Sequence, residues 1–496
     1  MNTLSRRSFL KSVLATAGVV ALPPYSRVRG ANDDIRVAVV GFNGMGKSHI
    51  NAYRKIPGIR IVALCDVDSR VLDWGKQDFA KRHEKVESYI DYRKLLENKD
   101  IDAVSIVTPN HWHSLMGIWA CQAGKDATVE KPVSHNIFEG RKLAEASRKY
   151  NRMVQGDFDQ RSKESMHEAV TWIQAGNLGK IRLARGRCYK NRPSLGKVNG
   201  PGPIPRTVDY NLWTGPAPLL PLRRKRLHYD WHWVWATGCG ELGNNGPHQL
   251  DVCRWVLGHD DLPSRVFSIG GRFGYDDDGE TANTQFIYYD YEPAPIIYEV
   301  RGLPPKKGDP GTTMDLFEPV CRRGIRLTSS YKGTGPNTGV IIECEHGYVD
   351  MGGPTAYDYQ GKVVKQFTGE NIGPQANFIK AVRSRKRTDL RNDILDGHLS
   401  TALSHMGNIS HRIGRRMSPA DILDSMKANR DLVEVYDRFK AHLAANDVDL
   451  ERTPATLGPV LTMDSKTERF TGELSTEANM LLTRNYRSPF VVPEMV

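Results

Sequence analysis

The stretch Val37-Ala38-Val39-Val40-Gly41-Phe42-Asn43-Gly44-Met45-Gly46-Lys47-Ser48-His49 constrains this chain more than any other. A β-branched apolar run breaks into a glycine-rich turn and then into residues able to begin a helix. That is the pattern of a buried parallel strand feeding a nucleotide-binding turn. Glycine matters there because the backbone must turn tightly and let a pyrophosphate approach, with the phosphate resting on the helix N-terminus. Gly41, Gly44 and Gly46 supply the glycines, and Asn43 stands where the common G-x-G-x-x-G form has its second one. The same turn would serve any strand-to-helix junction, so the following strand ends must decide.

Those strand ends are chemically loaded. Ile59 to Asp66 reads as a second strand ending in an acid, about twenty residues past the turn. An acid there accepts hydrogen bonds from the adenosine ribose hydroxyls and repels a 2′-phosphate, which points to NAD over NADP. The competing role for Asp66 is a helix cap, since Asp66 and Asp68 precede a helical pattern running from Trp74 to Arg82. A short helix around Tyr92 to Glu97, a strand Ile101–Thr108 ending in Thr108-Pro109-Asn110, and a helix near Ser114 to Ala123 follow. Asp126 to Val129 then leads into Glu130-Lys131-Pro132. Strand–helix units repeated at this length predict an α/β fold with a doubly wound parallel sheet.

Composition sets the outer limits. A chain of 496 residues accommodates two sizeable domains, and 39% apolar with 25% charged residues suits a folded globular protein. Of the +12 net charge, Arg6, Arg7, Lys11, Arg27 and Arg29 lie in the acid-free first thirty residues, leaving +7 spread thinly elsewhere. That distribution excludes a nucleic-acid partner. Ser5-Arg6-Arg7-Ser8-Phe9-Leu10-Lys11, followed by the apolar run Val13 to Leu22, reads as a twin-arginine export signal. The run is too short for a membrane span, so a periplasmic protein without one is expected once residues 1–30 are removed. Twin-arginine export carries folded proteins, which suits an enzyme that loads its cofactor in the cytoplasm. Seven scattered cysteines without a C-x-x-C pair are expected to remain thiols.

Lys131 is the prime catalytic candidate. Pro132 biases it towards an extended backbone at a strand end, where ligands bind in such sheets. Partial burial beside a cationic nicotinamide would depress its pKa, allowing it to take a hydroxyl proton as hydride leaves. Glu130 would orient Lys131 or touch the cofactor. Gln160 and Arg161, opening the second domain before a helix Glu164 to Ala175, could reach the cleft or fix the domain junction.

Beyond a Pro- and Gly-rich loop at residues 191–205, His228-Tyr229-Asp230-Trp231-His232-Trp233-Val234-Trp235 crowds aromatics and histidines together. Flat rings stack on sugar faces and histidines serve hydroxyls, making Trp231, His232 and Trp235 substrate candidates; the alternative is a strand packing its tryptophans in the core. His228 and His232 have no evident third ligand, so no metal is assigned. In Gly240 to Trp255, the apolar face of Leu250, Val252, Cys253 and Trp255 defines a helix with His248 in its first turn. Later strands are expected at Val266–Phe273, Asn283–Tyr291, Ile296–Gly302, Gly324–Ser329, Gly339–Glu343 and Tyr348–Met351. Helices are expected at Ala376–Arg383 and Ile394–Arg415, where His398, His405 and His411 serve packing or surface roles.

The glycine turn Gly41 to Gly46, Asp66, Thr108-Pro109-Asn110-His111-Trp112-His113 and Glu130-Lys131-Pro132 together resemble the glucose–fructose oxidoreductase, inositol dehydrogenase and rhizopine-catabolism (Gfo/Idh/MocA) family. Trp213 to Pro218 and the block Gly240 to Trp255 extend the resemblance, which is nearest to an exported subgroup with twin-arginine signals. It implies a Rossmann domain over residues 31–155, then an α/β domain with a large, mostly antiparallel open sheet over 156–443. Residues 444–496 would form an extension packing on the body or a neighbouring subunit.

The resemblance also implies a sugar, polyol or sugar-derivative substrate, a nicotinamide cofactor, and a dimer or tetramer. Its cofactor site would comprise Gly41, Asn43, Gly44, Met45, Gly46, Asp66, Thr108, Asn110, His113, Glu130, Lys131 and Gln160. Its catalytic lysine would be Lys131. Inositol-dehydrogenase-like relatives pair this lysine with an Asp and a His four residues apart; here His248 matches and Asn244 replaces the Asp. Asparagine orients a hydroxyl but cannot stabilise an imidazolium by charge; Asp251 could partly compensate or equally be an exposed helical acid. Two activities follow: hydride transfer to or from a carbohydrate, or a glycosidase that keeps NAD bound and uses transient oxidation.

Overall fold

A computed structural model describes residues 34–304 and 338–496. The export signal and the strand expected at Gly324–Ser329 lie outside the described residues. Six strands, β1 (Ile35–Val40), β2 (Ile59–Cys65), β3 (Glu87–Tyr89), β4 (Ala103–Ile106), β5 (Asp126–Glu130) and β6 (Val154–Asp157), form one sheet in the order β3-β2-β1-β4-β5-β6. Every pairing in it is parallel. This is the doubly wound order whose reversal beside β1 opens a crevice at the strand C-termini. Helices α1 (Gly46–Arg54), α2 (Ser69–Lys81), α3 (Tyr92–Glu97), α4 (His113–Gln122) and α5 (Ile137–Lys149) connect the strands. Helix α2 begins five residues before the predicted Trp74, because the Asp68 side chain caps it by accepting from Arg70 N–H.

The second sheet is mixed and mostly antiparallel. It comprises β7 (Ile181–Cys188), β8 (Arg265–Gly271), β9 (Thr284–Asp290), β10 (Ile296–Arg301), β11 (Thr338–Cys344), β12 (Gly347–Asp350), β13 (Thr355–Asp358), β14 (Val363–Gln366), β15 (Arg415–Arg416), β16 (Thr456–Leu457), β17 (Leu461–Asp464) and β18 (Arg469–Thr471). Its path runs β14-β13-β12-β11-β7-β10-β9-β8-β16-β15, with β17 paired to β8 and β18 to β17. Among these, β7 (Ile181–Cys188) and β10 (Ile296–Arg301) pair in parallel. Helices α6 (Glu164–Gln174) and α7 (Gly240–Leu257) lie on one face, their apolar residues Met166, Ile173, Leu250 and Val256 packing with Ala184, Ile296 and Tyr298. After the later strands, α8 (Pro374–Ser384) returns to the first domain, where Phe378 and Ile379 enter the core with Val37, Val39 and Phe42. Helix α9 (Ile394–Arg412) packs beside α7. Helices α10 (Pro419–Met426) and α11 (Arg430–Ala445) cover the sheet's other face, with Tyr436 and Phe439 against Phe286 and Ile297.

The C-terminal stretch joins the two domains. Strand β17 (Leu461–Asp464) extends the large sheet beside β8 (Arg265–Gly271), while Phe490 and Val492 enter the first domain's core beside Trp112. Cys65, Cys121, Cys188, Cys239, Cys253 and Cys344 are buried free thiols. No helix among the described residues is long and apolar enough to cross a membrane.

Candidate active site

A cleft of about 1180 Å³ runs from the glycine turn to the start of α7, lined by both domains. At its first-domain end the turn is sterically defined. Gly41 has φ +78°, and a Cβ there would lie 2.7 Å from the Val107 carbonyl oxygen. A Cβ on Gly46 would overlap the Gly41 carbonyl, whereas one on Gly44 would meet nothing within 4 Å. The two flanking glycines close the turn, and Gly44 leaves the open side that a ligand backbone needs. No side chain caps the N-terminus of α1; Lys47 N–H donates to Gly44 O at 3.1 Å and Ser48 N–H to Met45 O at 2.8 Å, so the turn's own carbonyls hold the first amides. Asn43 and Met45 line the same end, and Met45 is exposed.

Asp66 directly follows β2. Its carboxylate accepts Phe42 N–H at 3.1 Å and Asp68 N–H at 3.0 Å. Burial, only partly offset by these hydrogen bonds, lifts its pKa to about 6. The helix-capping role belongs instead to Asp68, which also accepts from His228 Nε2 at 3.0 Å. Residues 207–228 of the second domain thereby strap this end of the cleft. Ser69 N–H donates to Thr207 O and Asp209 N–H to Val67 O.

Thr108 and Asn110 line the cleft, and the buried Asn110 Oδ1 has no hydrogen-bond partner, a polar atom waiting for a ligand donor. His113 also borders it, but both ring nitrogens face carbonyls: Nδ1 with Pro132 O at 2.6 Å and Nε2 with Thr108 O at 2.5 Å. Burial lowers its pKa, so a neutral ring donates to one of the two. Its role is to fix the strand ends around the cofactor crevice.

Lys131 projects across the cleft. Its Nζ donates to Asn244 O at 2.7 Å and lies 3.5 Å from Asn244 Oδ1, so the lysine of one domain docks on the helix start of the other. Behind it, Glu130 accepts Lys131 N–H at 3.1 Å and lies 3.2 Å from His49 Nε2. The same His49 nitrogen is 3.2 Å from Asp157 Oδ2, and His49 Nδ1 meets Ser105 Oγ at 2.9 Å. Burial pushes Asp157 up to about 7; Glu130, also buried, is drawn down to about 2 by the His49 hydrogen bond and the Lys131 charge. His49, Glu130 and Asp157 converge closely enough to resemble a metal-ligand set, but their polar atoms are already spent on one another. Neither His49 nor Asp157 was legible as a site residue. Each sits on a different element, and only the sheet order brings them under Lys131.

On α7, His248 lines the cleft with its ring edge-on to Phe158 at 6.2 Å. Burial first, then the Lys131 charge, lowers its pKa to about 3, so the imidazole is neutral. Asp251 does not assist it. Instead its carboxylate accepts from Arg161 Nε at 2.8 Å, Arg161 Nη2 at 2.9 Å and Ser400 Oγ at 2.7 Å, in the buried domain junction. That pairing also removes Arg161 from the cleft. Gln160 remains on its wall, accepting from Lys163 Nζ at 3.0 Å.

The aromatic segment folds as a 3₁₀ turn, Asp230–Trp233, and not as a strand. Trp231 and His232 stack at 3.7 Å and both line the cleft; burial lowers the His232 pKa to about 4. Trp235 is turned away. It lines a separate small hollow with His135 and Cys239, and the Arg412 guanidinium lies 5.0 Å over its ring. A turn does not alternate its side chains between two faces as a strand does, which separates Trp235 from Trp231. Two further polar residues, Lys190 and Arg192, line the cleft, and the buried Glu241 behind them accepts from both Arg192 and Asn245, whose amide oxygen receives Lys190.

Comparison with known proteins agrees with this architecture. Residues 35–158 match the model of an oxidoreductase family with an NAD-binding Rossmann fold, and residues 184–297 match the same family's C-terminal α/β domain. A glycosyl hydrolase family 109 protein 2 of Shewanella sp. (strain ANA-3) is 32% identical over 163 residues, 28% of this chain and 36% of that protein. The levoglucosan dehydrogenase of Pseudarthrobacter phenanthrenivorans is 25% identical over 239 residues, 47% of this chain and 54% of that protein. The chain thus spans about half or less of the length of these curated relatives. The solved WlbA dehydrogenase of Bordetella pertussis, bound to NADH, shares the fold with TM-score 0.53 at 17% identity, covering 75% of this chain and 95% of that one. With its NAD-binding Rossmann domain and family-type C-terminal α/β domain, the chain belongs to the Gfo/Idh/MocA oxidoreductase family.

Proposed function

We propose that this protein is an NAD-dependent oxidoreductase that moves hydride between the nicotinamide and a hydroxyl or carbonyl carbon of a sugar or sugar derivative. The observation that carries the reading is Lys131 Nζ, held 2.7 Å from Asn244 O inside a cleft formed by both domains. The open side of Gly44, the uncapped start of α1, Asp66 and the unpartnered Asn110 Oδ1 fit a dinucleotide. When bound, NAD supplies the hydride acceptor. Lys131, as the neutral amine, takes the hydroxyl proton during oxidation; as the ammonium, it polarises the carbonyl during reduction. His248 and Asn244 orient the reacting hydroxyl. The neutral His248 acts by hydrogen bonding and not by charge.

Glycoside cleavage through transient oxidation is the second reading, favoured by similarity to the family 109 protein. Incubating purified protein with free sugars and glycosides, without added NAD, separates the two. Net reduction of retained nicotinamide supports the oxidoreductase, aglycone release supports the glycosidase, and silence on both sinks the enzymatic reading. Export of the folded protein to the periplasm, supported by Ser5 to Lys11, and assembly into a homo-oligomer belong to the same proposal. Fractionation and light scattering test them.

A further inference from the structure

Two ammonium groups dock on consecutive residues of α7. Lys131 Nζ binds Asn244, and Lys190 Nζ donates to Asn245 Oδ1 at 2.9 Å. The second lysine is held by a relay built to fix it. Arg192 clamps Glu241 through two hydrogen bonds of 2.8 Å, Glu241 accepts from Asn245 Nδ2, and the amide oxygen so oriented receives Lys190. Glu241 is buried, and its charge is answered by Arg192. The cleft's other carboxylates are engaged elsewhere: Glu130 and Asp157 with His49, Asp66 with backbone amides, and Asp91 with Arg93. Asp159 has Glu130, Lys163, His49 and Lys131 as its strongest charged neighbours.

Lys190 therefore faces the cleft hydrogen-bonded to the neutral Asn245 amide, with N–H groups to spare. A half-buried ammonium with spare donors on a cleft wall offers a point of attachment for an anion. Its field reaches His248, where burial first, then the Lys131 charge and, against the opposing Glu130, Lys190 lower the pKa to about 3. Gln249 lines the same wall, its Oε1 used by Tyr298 OH at 3.0 Å, leaving further N–H donors for a ligand. The glycine turn and α1, which would hold the cofactor phosphates, belong to the first domain, whereas Lys190 follows β7 of the second.

We propose that Lys190 anchors a carboxylate of the substrate, so that the protein acts on a sugar acid in preference to a neutral sugar. This rests on the oxidoreductase reading above and narrows its substrate class. The test compares matched pairs, glucose with gluconate and glucuronate and galactose with galacturonate, and a sugar phosphate, on the wild type and on Lys190→Met and Lys190→Gln. The expected result is a wild-type preference for acids in kcat/KM. In Lys190→Met the acid-to-neutral ratio falls about tenfold or more, mainly through KM. Equal losses on acids and neutral sugars would reduce Lys190 to a structural role and overturn the proposal, as would a wild-type preference for neutral sugars or for the phosphate. If no compound turns over, the oxidoreductase reading fails. The anchor is then judged separately, by whether gluconate or glucuronate raises the melting temperature of the NAD-loaded wild type but not of Lys190→Met; no such rise overturns it.

Discussion

The Lys131 ammonium lies 2.7 Å from the main-chain oxygen of Asn244 and 3.5 Å from its side-chain oxygen. A neutral amide thus occupies the place where a carboxylate would pair with the Lys131 amine. Asn244→Asp introduces that carboxylate, which favours the charged lysine and raises its pKa by about one unit or more. In the oxidation direction the acid limb of the kcat/KM profile should move to higher pH by that amount. An unmoved limb would show that Lys131 is not the titrating base.

Asp66, with its pKa lifted by burial to about 6, should make NAD binding pH-dependent. Only the carboxylate accepts from both ribose hydroxyls, so affinity should fall as pH drops below about 6. The apoprotein should respond with the opposite sign. A group whose folded pKa lies above its unfolded value of 3.8 stabilises fully below that value, and its contribution is lost as pH rises through about 6. Asp66→Asn should flatten both dependences, giving weaker NAD binding by calorimetry but an apoprotein melting temperature at pH 8 no lower than wild type.

His228 ties the strap at residues 207–228 to Asp68 at 3.0 Å. A hydrogen bond to a charged group contributes about 1.5–3 kcal/mol. His228→Ala should therefore speed NAD dissociation about tenfold or more, measured by chasing labelled cofactor from the purified protein, while leaving the Lys131 geometry intact.

Arg161 and Asp251 form a buried two-point ion pair at the domain junction. Arg161→Leu leaves Asp251 charged and underpaired, an effect of about 3–5 kcal/mol. Its denaturation midpoint should drop steeply, and Arg161→Leu with Asp251→Leu should recover part of the loss.

What could be read from residues alone follows a physical pattern. The strand ends at Gly41, Asp66, Asn110 and Lys131 were legible because local rules govern them: β-branched runs, glycine turns and fixed spacing place each at the same sheet edge. The buried His49–Glu130–Asp157 cluster was hidden, since it depends on which strands become neighbours. Asp251 was misjudged as a possible partner of His248 because a helical acid shows nothing of the arginine that meets it from another segment. Trp235 went astray with the 3₁₀ turn, whose geometry depends on packing more than on local pattern. Lys190 carried no motif. Its significance lies in the relay from Arg192 through Glu241 and Asn245, which joins the loop after β7 to α7.

The most direct test of the central claim is hydride transfer in the NAD-loaded protein with and without Lys131. Near-ultraviolet absorbance of reduced nicotinamide should grow when wild type meets its sugar substrate. In Lys131→Ala the rate should fall about 10²–10⁴-fold while the bound NAD content is retained. A variant that reduces NAD at the wild-type rate would contradict the account.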